Sequence, residues 1–125
     1  MGGENMSVQI KRVYDKAEKA DGIRVLVDRL WPRGVSKEDA KLDDWLKEVG
    51  PSKELREWFG HDPEKFDEFK RKYKEELKNN KVQTEELNKL INRSKEHDEQ
   101  LTLVFGSKDE KHNQAIVLKE LLDHQ

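Results

Sequence analysis

Residues 23–34 read IRVLVDRLWPRG, and the way this stretch is taken decides the fold. Four of the residues at 23–27 are apolar and the run is rich in β-branched side chains. A short run of that kind suits a strand covered on both faces, as in a parallel sheet. Asp21-Gly22 supplies a turn signal ahead of it. Residues 101–105, LTLVF, repeat the pattern and stop at Gly106. Val8, Ile10 and Val13 alternate loosely with polar residues, which predicts a first strand exposed on one side.

Helical periodicity fills the middle of the chain. Asp62 is a good N-cap with Pro63 behind it, and Phe66, Phe69, Tyr73 and Leu77 then fall on one side of a helix. Thr84 is expected to cap a second helix with Leu87, Leu90 and Ile91 inward. A third is expected from about Glu110 to Asp123, burying Ala115, Leu118, Leu121 and Leu122. Ser36 and Asp39 resemble a capping box, and residues 52–59 read as a short helix. Residues 42–49 have helical spacing but end in Gly50-Pro51, so helix and edge strand both stay open. The fold expected is α/β: a single small domain over residues 6–125, with a mostly parallel sheet of about 3–4 strands packed with helices. Residues 1–5 read as a start extension.

Charged residues are 42% of the 125 and net charge is −2, while Leu, Ile, Val and Phe number 30, enough for a core. The balance argues against a dedicated nucleic-acid or anionic-membrane binder. Residues 7–36 are different, with seven Lys or Arg against four acids. No cysteine is present, which excludes disulfides, thiolate metal sites and a cysteine nucleophile. The four histidines lack metal-ligand spacing, so no metal is expected, and nothing in the sequence names a cofactor. No apolar run is long enough to span a bilayer, and the expected location is cytoplasmic.

In parallel α/β sheets, ligands bind beyond the carboxyl ends of the strands. Two strand ends here carry unusual residues. After residues 23–27 comes DRLWPRG, in which Pro32 restricts Leu30 and Trp31, and Gly34 permits a turn. Such a loop can hold Arg29 and Arg33 rigidly, and guanidinium groups suit the capture of carboxylate or phosphate. Equally, Arg29 can pair with Asp28 or another acid while Trp31 plugs the core. After residues 101–105 comes GSKDEKHN, where Ser107 and Glu110 have capping-box spacing and a helix start would attract anions. Capping alone also explains those two residues. His61-Asp62 could form an acid/base pair, but Asp62 already serves as a cap.

The blocks RLWPRG and PSKELREWF, with LTLVFGSKDEKHNQAIVLKELL, resemble the YeaO-like proteins of domain-of-unknown-function family 488 over nearly the whole chain. The resemblance implies a small α/β fold and leaves biochemical role open. Longer relatives carry a Cys-His-Arg segment opening the last helix. This chain has Lys108-Asp109 and His112-Asn113 in that region, so thiol chemistry is not carried over.

The site expected from the residues is a pocket for a small anionic ligand, bound with or without turnover, between loop 28–34 and the helix start at 106–113. Arg29 and Arg33 hold the anion, Trp31 walls the pocket, and Asp28 orients an arginine or acts as base. Ser107, Lys108, His112 and Asn113 contribute from the facing side. The rival reading is a module that binds protein or nucleic acid through the basic segment 7–36, without chemistry.

Overall fold

The structure is a computed structural model that describes residues 8–96 and 100–124. The extension expected at residues 1–5 lies outside the described residues, as does His97. Strands β1 (Gln9–Arg12), β2 (Ile23–Leu26), β3 (Asp44–Trp45) and β4 (Leu101–Phe105) form one sheet in the order β1-β4-β2-β3. Every neighbouring pair is parallel. Five α-helices accompany them among the described residues: α1 (Lys37–Ala40), α2 (Lys53–Phe59), α3 (Phe66–Asn79), α4 (Lys81–Glu96) and α5 (Gln114–Asp123). The protein is a small α/β fold.

The two central strands are buried along their whole length, which is why their sequences read as continuous runs rather than alternations. Alternation persists within the burial. Val25, Val27, Leu103 and Phe105 join Phe69, Tyr73, Leu90 and Leu118 in the larger core. Leu26 and Val104 join Val13 and Ala40, with Trp31, Val35 and Leu42 packed against them, in a smaller one. Helices α3, α4 and α5 thus cover one face, and α1 with its flanking loop covers the other.

Residues 42–49 turn out to be both of the things their sequence allows. Asp44–Trp45 pairs with Val25 and Leu26 as a two-residue edge strand, and Lys47–Val49 then closes a 3₁₀ turn. Two helix starts differ from expectation. The second long helix begins at Lys81, because Asn80 Oδ1 takes the Gln83 N–H at 3.1 Å. Thr84 instead turns its hydroxyl back to the Leu77 carbonyl at 2.6 Å. The last helix begins at Gln114 rather than near Glu110, for a reason that belongs to the site. No helix of the described residues is long and apolar enough to cross a membrane.

Candidate functional site

Ile23 lies opposite Leu101 and Leu26 opposite Val104, so β2 and β4 end level with each other. Asp28 follows directly. Its Oδ2 accepts the Gly106 N–H at 2.8 Å, and its Oδ1 accepts from Nε2 of Gln114 at the start of α5. One carboxylate therefore joins the ends of both central strands to the last helix. The approach is close enough to make residue 106 special. A Cβ there would lie 3.0 Å from Asp28 Oδ2 and 3.7 Å from Pro32 Cβ.

Burial pushes the Asp28 carboxyl up to about 6, and the Gly106 amide, Gln114 and the charge of Arg56 only partly offset it. The group therefore titrates close to neutrality, in the range useful for proton transfer or for recognising a hydrogen-bond donor.

Arg29 turns away from Asp28. Its Nε donates to the Pro51 carbonyl at 3.0 Å and its Nη2 to the Gly50 carbonyl at 2.8 Å, with Glu48 3.6 Å from Nη1. The Gly50 carbonyl also accepts from Gln83 Nε2 at 3.1 Å, and the Val49 carbonyl accepts from Tyr73 Oη at 2.5 Å. Arg29 is thus part of the fastening of the segment that leads into α2. Trp31 donates its Nε1–H to the Val35 carbonyl at 2.7 Å and stands edge-on to Trp45, with ring centroids 5.3 Å apart. Arg33 is exposed at the rim. Among the described residues its guanidinium has no hydrogen-bond or ion-pair partner, although its carbonyl accepts from Tyr14 Oη at 2.9 Å.

The facing segment is a string of turns. Ser107 and Glu110 do not form the expected capping box. The Asp109 carboxylate takes the amides of Lys111 and His112 at 2.9 and 3.0 Å, and Asn113 Oδ1 caps α5 by accepting the Ile116 N–H at 3.1 Å. Asn113 also donates to the Asp109 carbonyl at 2.8 Å, so both ends of its amide are committed to structure. His112 Nδ1 lies 2.9 Å from Asp109 Oδ2, and its ring sits edge-on to Phe66. The Lys111 amide, with the His112 side chain and amide, holds the Asp109 carboxyl below its ordinary range.

Between these two segments lies a cavity of about 340 Å³. Asp28, Arg29, Trp31 and Arg33 line one side of it, and Ser107, His112 and Asn113 the other. Lys108 is exposed and is not part of the lining. Phe59, Phe69, Pro32 and Pro51 give the cavity an apolar wall.

The residue that sequence reasoning passed over is Arg56. It lines the cavity from α2, and its Nε is buried with no hydrogen-bond partner. A buried guanidinium N–H left unpaired is costly, since water is removed and nothing replaces it. The signal was present in the spacing. Ser52, Leu55, Arg56 and Phe59 fall at i, i+3, i+4 and i+7, which puts a charged residue on the inward stripe of an amphipathic helix.

An uncharacterized protein of Mycobacterium tuberculosis is 45% identical over 116 residues, covering 93% of this chain and 93% of that protein. The uncharacterized protein YeaO of Escherichia coli is 41% identical over 117 residues, covering 94% of this chain and 97% of its own length. No solved structure matches the chain. A family model described as "Inactive DUF488-N3 subclade" matches residues 7–125, and the chain belongs to that family, as a YeaO-like DUF488 protein.

Proposed function

We propose that the chain binds a small anionic molecule in the cavity between residues 28–34 and 106–113, without turning it over. The observation that carries this reading is Arg56, a cavity-lining residue whose guanidinium has no hydrogen-bond or ion-pair partner among the described residues and whose Nε is buried. An anion in the cavity would give this guanidinium an acceptor, in surroundings where a charge-assisted hydrogen bond is strong. Arg33 adds a second uncommitted guanidinium at the rim, where it can steer an anion inward. Arg29 serves the site indirectly by anchoring the Gly50-Pro51 segment from which α2, and so Arg56, projects. The description of the subclade as inactive favours binding over turnover.

The rival reading, a docking surface made from the basic segment, has less to work with. Lys11 and Arg24 are tied to Asp21, Arg12 donates to the Ser107 carbonyl, and Arg29 is held by Gly50 and Pro51. Four of its seven cations are thus committed internally.

The test is a thermal-unfolding series at constant ionic strength in chloride, sulfate, phosphate and acetate, on the wild type and on Arg56→Gln. A ligand at a hundredfold excess over its Kd adds about 2.7 kcal/mol by mass action. Selective stabilisation of the wild type that disappears in Arg56→Gln is expected. Equal melting in all four anions would contradict the proposal.

A further inference from the structure

The cavity carries an acceptor as well as a cation, and the two are not paired with each other. Asp28 and Arg56 both line it, and the charge of Arg56 acts on the Asp28 carboxyl with neither a hydrogen bond nor a salt bridge between them. A carboxylate offers about four acceptor sites. Gly106 and Gln114 take two of those on Asp28. Gln114 spends an N–H on Asp28, which leaves its own carbonyl oxygen as a further acceptor on a residue that lines the cavity. A bare anion in this space would meet Arg56 but would also lie near Asp28, whose charge opposes it and weakens its binding. A ligand that carries a hydrogen-bond donor removes the conflict. Its donor meets Asp28 and its anionic end meets Arg56.

We propose that the cavity selects a bifunctional ligand, a carboxylate that also bears an ammonium or hydroxyl donor and has an apolar body. Resting on the anion-binding reading above, this inference narrows it to a chemical class. The donor end sits at Asp28 and Gln114, the carboxylate at Arg56, and the body against Phe59, Pro32 and Trp31. The volume of about 340 Å³ lies at the small end of ordinary ligand pockets, which suits a molecule the size of a single amino acid or hydroxy acid.

The experiment is isothermal titration of the full chain at pH 7.5 with L-phenylalanine, 3-phenyllactate and 3-phenylpropanoate. These share a carboxylate and a ring and differ in the donor. The expected result is that both donor-bearing ligands bind at least about tenfold more tightly than 3-phenylpropanoate, the scale of one hydrogen bond to a charged group. In Asp28→Asn the preference for phenylalanine should fall about tenfold, while 3-phenylpropanoate binds as well as before or better, because the opposing carboxylate has gone. Equal affinities of all three for the wild type would overturn the inference and leave the anion site standing. So would an unchanged preference in Asp28→Asn, or stabilisation by phosphate with no binding of any of the three. Absence of binding by these acids, sulfate and phosphate alike would overturn both readings together.

Discussion

Asp28 links the proposed site to the stability of the protein. Its carboxyl ordinarily titrates at 3.8, and in the folded chain burial raises it to about 6. Below 3.8 both states hold the proton and no penalty arises. As pH rises from 3.8 to 6 the unfolded chain releases its proton first, so folding loses stability across that window and the loss is complete above 6. The size of the effect is about 3 kcal/mol, from a shift of about two units. Asp28→Asn cannot titrate, yet it can still accept from Gly106, and Gln114 can turn its carbonyl toward the new amide. Urea unfolding from pH 4 to pH 8 should therefore show the variant gaining on the wild type as pH rises, and overtaking it near neutrality. Parallel stability curves for the two proteins would mean that Asp28 is better solvated than its surroundings indicate.

At the scale of elements, the segment from Gly106 to Asn113 decides how the last helix begins. Asn113 accepts from Ile116 and donates to Asp109, whereas the Ser107 hydroxyl makes only local contacts with Asp109 at 3.2 and 3.3 Å. Asn113→Ala should accordingly cost about 1–2 kcal/mol, and Ser107→Ala less than about 0.5 kcal/mol, as read by chemical unfolding. The reverse order would restore Ser107 as the cap. Sequence misplaced this start because Ser107 and Glu110 have the right spacing, and only the fold reveals that Asp109 gathers the amides of Lys111 and His112 into a turn ahead of the helix. The same limit explains β3, which is held by two residues against β2 and leaves no period to read. The central strands were legible because burial on both faces is written into all but one position of each, Thr102 in LTLVF and Arg24 in IRVL. Of the site, the two loops and Asp28 could be found from their place after those strands. The committed geometry of Arg29 and the uncommitted geometry of Arg56 could not, since both depend on where the Gly50-Pro51 segment runs.

Across the whole molecule the two ends of the sheet differ in character. Ahead of β2, the Asp21 carboxylate accepts from Arg24 Nη1 at 2.6 Å and lies 3.0 Å from Lys11 Nζ, while Arg24 Nη2 also reaches the Ala40 carbonyl at 2.8 Å. The Asp21 carbonyl accepts from Thr102 at 2.7 Å, so β1, β2, β4 and α1 are tied together at this end. Burial works against the Asp21 charge, but the Glu18 amide, Lys11 and Arg24 outweigh it and hold the carboxyl below its ordinary value. That stabilisation is fully present above pH 3.8 and is lost as pH falls through the depressed value, the opposite sense to Asp28. Asp21→Ala, which strands Arg24, should cost about 3–5 kcal/mol in urea unfolding while leaving the anion response of the folded protein intact. A loss below about 1 kcal/mol would show the network to be dispensable. The carboxyl end of the sheet has the opposite character, with a half-buried cation left unpaired beside a cavity. The most direct test of that claim is the Nε–H resonance of Arg56 in nitrogen-15 spectra during titration with sulfate. Arg93 is the internal control, since its Nε is also buried and unpartnered but it does not line the cavity. A saturable shift of the Arg56 resonance, with Arg93 unmoved, is the predicted result. An Arg56 resonance that stays still, or that drifts in step with Arg93 and the exposed Arg71, would contradict the account.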